Sequence, residues 1–191
     1  MKLDEEFWSE RYRLGTTGWD LNNVSPPLKE YFDQLEDKNL KILIPGCGYA
    51  HEAKYLHFLG FKNVYVLDLA KEPLNTLLET TPTFNPDHCI QQDIFTFNGS
   101  FELIIEQTMF CAIDPKYREL YAQKMSNLLS DGGKYVGLLF NKHFEGGPPF
   151  GGSKEEYELL FKPYFKELNL EKCINSIEPR MGSELFIQFR K

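Results

Sequence analysis

The stretch LKILIPGCGYAHEAKYL, residues 40–56, constrains the fold more than any other part of the chain. An apolar run ends at Pro45, Gly46 and Gly48 follow, and apolar groups then recur at helical spacing. A strand that turns through glycines into a helix opens a strand–helix–strand unit, and the downstream sequence repeats that alternation. Strands are expected at 40–45, 63–68, 88–93, 101–107, 133–141, 168–177 and 183–190. Helices are expected at 4–13, 27–37, 50–59, 70–79, 115–129 and 153–164. EPRMGS joins the last two strands and is too short for a crossover helix, so they should form an antiparallel hairpin. The expected fold is α/β and Rossmann-like, a doubly wound, mostly parallel seven-stranded sheet with an N-terminal helical lid. At 191 residues the chain suits a single domain, residues 1–191, in which residues 1–37 supply the lid and the helix after it.

Composition excludes several classes. The formal net charge is −7 and the lysines and arginines are scattered, so no nucleic-acid partner is expected. No apolar run approaches the ~20 residues of a membrane span, and MKLDEEFWSERY is too acidic for a signal peptide. Neither a membrane partner nor secretion is therefore expected. Cys47, Cys89, Cys111 and Cys173 form no CxxC pair, which suits a reducing cytoplasm and offers no zinc template. His51 and His57 stand six apart, poor spacing for a shared metal, and HExxH and GxSxG are both absent, so no metal or serine nucleophile is assigned. The sequence leaves the oligomeric state open, with a monomer slightly favoured.

The glycine turn poses the question of which ligand it grips. The fingerprint GxGxxG needs a third glycine where His51 stands, which counts against NAD or FAD, and no Gly-Lys-Ser/Thr follows to make a P-loop. Gly46 and Gly48 still allow close backbone approach. Asp68 ends the second strand, where a carboxylate can accept both ribose hydroxyls of an adenosine, although it could also cap the next helix. Asp93 and Ile94 follow the third strand. There the acid can accept from an adenine amino group while Ile94 covers the ring, or the acid can simply close its own turn. Glu106 and Gln107 end the fourth strand at the ligand-facing edge, where Glu106 could instead be an exposed strand-end carboxylate. These signals on four successive strands describe an adenosine ligand without a phosphate grip, and S-adenosyl-L-methionine answers that description, with S-adenosyl-L-homocysteine as its product. Its sulfonium charge is attracted to aromatic faces by about 0.5–2 kcal/mol. Trp8 and Tyr12, four apart on one helix face, could supply such faces, though Trp8 could equally pack on the core. Trp19 lies in a polar Gly/Thr/Asn loop and needs something to cover.

FWSERYRLGTTGWD, IPGCG, FCAIDP followed by YR, and GGPPF together resemble the thiopurine S-methyltransferase superfamily of class I methyltransferases. Within it the likeness is to the plant-type thiol and halide methyltransferases, from about Phe7 to Phe165. The resemblance implies that Trp8, Tyr12 and Trp19 fold over the cofactor, with a tryptophan often standing where Tyr12 does. It implies that Gly46 is the first motif glycine, Asp68 the ribose acid, and Asp93 with Ile94 the adenine site. Glu106 and Gln107 replace an Asp-Tyr pair, and Phe150 in GPPF replaces a tyrosine beside the acceptor.

The expected reaction is displacement at the sulfonium methyl, driven chiefly by holding nucleophile and methyl in line. No histidine falls on the four strand ends, so a small soft nucleophile is expected: a thiol, bisulfide, thiocyanate or halide. Such a small molecule or small anion is the only partner implied. The alternatives are an O- or N-methyltransferase of a small metabolite, a non-catalytic module that binds the adenosyl ligand and regulates a partner, and, more weakly, an NAD-linked oxidoreductase.

Overall fold

The computed structural model describes residues 2–191. In chain order the elements are α1 (Glu5–Leu14), α2 (Pro26–Asp33), β1 (Lys41–Pro45), α3 (His51–Phe58), β2 (Asn63–Asp68), α4 (Lys71–Thr80), β3 (Cys89–Gln91) and β4 (Phe101–Gln107). They continue with α5 (Arg118–Leu128), β5 (Leu129–Phe140), α6 (Lys154–Phe161), β6 (Glu167–Lys172) and β7 (Glu184–Arg190). The strands form one sheet in the order β3-β2-β1-β4-β5-β7-β6. By compactness the chain divides into two units, residues 1–97 and 98–191.

In the first unit β1 pairs in parallel with β2, and β2 with β3. Ile42, Leu43 and Ile44 of β1 are all buried, as a parallel strand covered on both faces requires. α1 starts at Asp4, whose carboxylate accepts the amide of Phe7, and stops at Gly15, whose left-handed conformation closes the last turn. α2 ends at Asp33, four residues short of the expected 37. There the Gln34 amide tightens onto the Tyr31 carbonyl at 3.2 Å, and Asp37 accepts from Asn39 in a separate turn. β3 is half the expected 88–93 because Asp93 folds the chain out of the ladder. Its side chain accepts the Phe95 amide at 2.9 Å, and its carbonyl accepts those of Thr96 and Phe97.

In the second unit β4 and β5 are parallel, and β7 runs antiparallel to both β5 and β6. The expected C-terminal hairpin is therefore present, with β7 between its partner and β5. β5 begins at Leu129 rather than 133, because Leu129 already pairs with Phe101 before a register shift carries Lys134 opposite Leu103. Gly137 faces Glu106 across that pair, and a Cβ there would overlap the Glu106 backbone. Residues 115–117 form a 3-10 turn capped by Asp114 ahead of α5, rather than the first turn of an α-helix. A capping box between Ser153 and Glu156 starts α6. Tyr135, Phe161, Phe165 and Phe189 pack as an aromatic core with ring centroids 5.0 to 6.1 Å apart.

Candidate functional site

The first unit builds a site around the turn after β1. Gly46 and Gly48 take left-handed conformations at φ 58° and 52°, and Ala50 follows at φ 57°, an uncommon state for a residue with a Cβ. Asp68, at the end of β2, holds this turn. Its Oδ2 accepts the Gly48 amide at 3.1 Å, and its Oδ1 accepts the Ala70 amide at 3.0 Å. Asp68 is therefore not the N-cap of α4, which is Ala70 without a side-chain cap; it holds the Ala70 amide just ahead of the helix and reaches the glycine turn as well. Burial pushes its carboxyl up to about 6, against the stabilising amides of Ala70, Gly48 and Leu69.

Aromatic groups from the N-terminal segment meet at the same turn. Trp8 and Tyr12 of α1 each make an edge-to-face contact with Trp19, at centroid distances of 5.5 and 5.7 Å. Tyr12 also meets Tyr49, inside the glycine turn, at 5.4 Å. A Cβ placed on Gly48 would lie 3.5 Å from the Tyr12 hydroxyl and 3.8 Å from Trp19 Nε1, so these side chains sit directly over the glycine. Burial and the nearby Asp68 charge push the Tyr12 phenol well above its ordinary range. Asp20 anchors the loop after α1 by a 2.8 Å hydrogen bond to His51, the residue standing where a third motif glycine would be. Two further links clasp α1: Gln91 donates to Glu5 at 3.0 Å, and Arg13 lies 3.6 Å from Glu72. Asp93 is exposed and closes its own turn, whereas Ile94 is buried at 2 % exposure.

In the second unit, the expectation for Glu106 needs correction. The side chain is wholly buried rather than exposed at the strand end. Oε1 accepts the Phe110 amide at 2.8 Å, and Oε2 accepts the hydroxyls of Tyr121 and Tyr135 at 2.8 and 2.7 Å. It is a structural carboxylate whose pKa burial raises and these three donors restrain. Gln107 differs: its Oε1 is buried without a hydrogen-bond partner. Thr108 then takes a left-handed conformation at φ 61°.

Phe150 is fixed through its backbone. Its amide donates to the Cys111 carbonyl at 2.6 Å, and Arg118 donates to the carbonyls of Phe150 and Gly151, both at 2.9 Å. Its ring packs against Gly147. A cavity about one water molecule in size lies beside Cys111, lined by Thr108, Phe110, Cys111, Leu138, Leu139, Phe140 and Glu184. Phe150 is not among the lining residues. Tyr49 and Glu184 were not expected from the sequence, though Tyr49, an aromatic inside the glycine turn, carried a local signal; Cys111 and Arg118 lie in the motif FCAIDP followed by YR, which gave neither a role of its own. No group of three or more metal-ligating side chains is found among the described residues, nor any helix long and apolar enough to cross a membrane.

The donor set in the first unit fits S-adenosylmethionine. A buried carboxylate suits ribose hydroxyls, three aromatic groups suit a sulfonium, and Gly48 leaves open the space that a Cβ would fill.

A model of the family described as Thiopurine S-methyltransferase matches residues 3–185. Among curated proteins, the chain is 30 % identical to "Probable thiol methyltransferase 2" of Arabidopsis thaliana, covering 96 % of this chain and 84 % of that one. It is 29 % identical to "Thiocyanate methyltransferase 1" of Brassica oleracea, over 99 % and 86 %. It is 26 % identical to a Thiopurine S-methyltransferase of Vibrio parahaemolyticus, over 84 % and 83 %. Among solved structures, the fold matches a Burkholderia thailandensis 1,6-didemethyltoxoflavin-N1-methyltransferase bound to S-adenosylhomocysteine. The TM-score is 0.75 at 15 % identity, over 98 % of this chain and 86 % of that one. A TehB-like SAM-dependent methyltransferase of Corynebacterium glutamicum matches with TM-score 0.68 at 19 % identity, over 98 % and 97 %.

Proposed function

The chain belongs to the thiopurine S-methyltransferase family, and from that premise we propose that it methylates a small, soft nucleophile such as a thiol, bisulfide, thiocyanate or halide. It is an S-adenosylmethionine-dependent methyltransferase, and S-adenosylhomocysteine is its product. When bound, the donor supplies an electrophilic methyl group on a sulfonium cation.

The observation that carries the reading is the meeting of Trp8, Tyr12 and Trp19 beside a glycine turn that Asp68 holds in place. In this reading Asp68 accepts the ribose hydroxyls, while Gly46 and Gly48 let the backbone come close. Ile94 covers the adenine ring with Asp93 beside it, and the three aromatic groups face the cation and exclude water. The segment 1–37 serves as lid and first helix of one domain, a reading supported by a family match that runs through residues 3–185. Arg118 and Cys111 fix the GPPF loop, so that Phe150 shields the acceptor. Four free cysteines suit a cytoplasmic setting.

Incubation with S-adenosylmethionine and single acceptors, scored for S-adenosylhomocysteine, tests the proposal. Turnover on soft nucleophiles supports it; turnover confined to catechols or amines would replace the acceptor class.

A further inference from the structure

Glu184 stands apart from the groups used so far. It opens β7 opposite Phe140, the last residue of β5, and Thr108 directly follows β4. All three line the small cavity, together with Cys111. The cavity therefore lies at the carboxyl ends of the parallel strands, where open α/β sheets bind their ligands. Glu184 is only 4 % exposed in a wall otherwise made largely of Leu138, Leu139 and aromatic rings. A carboxylate there is costly unless it is paired and hydrogen-bonded.

The groups facing it are few. Arg180, in the turn before β7, places Nη1 3.4 Å from Oε1 of Glu184. Cys111 lines the same cavity, and burial pushes its thiol up to about 12, so it competes poorly as a base or nucleophile. Cys173, beyond β6, donates its amide to the backbone carbonyl of Glu184 at 2.9 Å and so does not face the carboxylate, and β5 contributes the apolar Leu138, Leu139 and Phe140. Burial raises the Glu184 carboxyl above its usual range, with the Ser176 side chain and then Arg180 opposing, which moves it toward the pH at which a general base works best.

We propose that Glu184 is the proton acceptor for a small thiol, and that protonated thiols rather than preformed anions are the preferred acceptors; the proposal rests on the methyl-transfer reading above. The S–H bond breaks with its electron pair left on sulfur, and the proton binds a carboxylate oxygen of Glu184, later passing to solvent. Before transfer, Arg180 and Glu184 balance each other beside a neutral thiol. After transfer, Arg180 balances the thiolate beside a neutral carboxyl. No net charge appears in the cavity at either stage. A halide or thiocyanate, by contrast, enters as an added negative charge facing Glu184, and must bring a proton from solvent or bear the repulsion.

The test compares wild type with Glu184→Gln and Glu184→Asp. Glu184→Gln should lose roughly 100-fold or more of its turnover with a small thiol at pH 7, recovering as pH passes the thiol pKa, with Glu184→Asp retaining part of the rate. Calorimetry of thiocyanate on the protein loaded with S-adenosylhomocysteine gives a readout apart from activity. Wild type should bind thiocyanate more tightly as pH falls toward the raised pKa of the carboxyl, and Glu184→Gln should bind it tightly throughout. Thiol turnover kept by Glu184→Gln, or pH-independent thiocyanate binding by wild type, would overturn the inference alone. Wild type that binds S-adenosylhomocysteine yet methylates no thiol would overturn the methyl-transfer reading along with it.

Discussion

The backbone amide of Gly48 donates to the carboxylate of Asp68 at 3.1 Å, joining two residues twenty apart in sequence. One side chain thereby fixes the glycine turn and presents the acid that is proposed to hold the ribose. Asp68→Ala should weaken S-adenosylhomocysteine binding by roughly 10- to 150-fold, the loss expected for hydrogen bonds to a charged acceptor worth about 1.5–3 kcal/mol. Unchanged affinity by calorimetry would remove Asp68 from the site.

The same carboxyl sets a pH dependence. Its pKa rises from 3.8 to about 6 in the fold, so between those values the folded protein keeps a proton that the unfolded chain has released. Its contribution to stability is therefore fullest below pH 3.8 and is lost as pH rises through 6. Binding moves the opposite way, because an ionised Asp68 accepts ribose hydroxyls better than a neutral one. Affinity for S-adenosylhomocysteine should rise through pH 6 and level off above it, and Asp68→Asn should flatten that profile. A flat wild-type profile from pH 5 to 8 would contradict this account.

Residues 13–16 are exposed and follow the part of α1 that lies over the turn, while Asp20 and His51 tether the loop at its far end. Limited proteolysis should cut within residues 13–20 and be slowed by S-adenosylhomocysteine, with Asp20→Ala speeding the cut in free protein. Cleavage at one rate with and without ligand would show the segment to be a fixed part of the fold.

Glu106 is held by three groups of the fold itself. Glu106→Ala strips the acceptor from the buried hydroxyls of Tyr121 and Tyr135 and from the Phe110 amide, and should destabilise the protein by about 3–5 kcal/mol. Urea unfolding measures that loss. Protein still folded in low urea should bind S-adenosylhomocysteine as wild type does. Unchanged stability with lost binding would return Glu106 to the site.

Much of the fold was legible because apolar runs bounded by polar residues fixed the strands; 63–68 and 101–107 match β2 and β4 residue for residue. The places of Asp68 at the end of β2 and of Trp8, Tyr12 and Trp19 around the glycine turn were legible too, since each residue stands out against its local pattern, while their roles toward a cofactor are proposals. β3 was misjudged in length because Asp93 has two competing uses, a ladder position and a turn, and the turn prevails. Glu106 could not be read locally, because its environment depends on Tyr121 and Tyr135, 15 and 29 residues away. Glu184 was hidden for a related reason: only the antiparallel pairing of β7 brings its first residue to the carboxyl ends of the parallel strands.

Purified protein supplied with S-adenosylmethionine and, singly at one pH, a small thiol, bisulfide, thiocyanate, iodide, a catechol and an amine tests the central claim most directly. Formation of S-adenosylhomocysteine with the soft nucleophiles, and little with the catechol or amine, is the predicted result. Tight binding of S-adenosylhomocysteine with no turnover on any acceptor would contradict it.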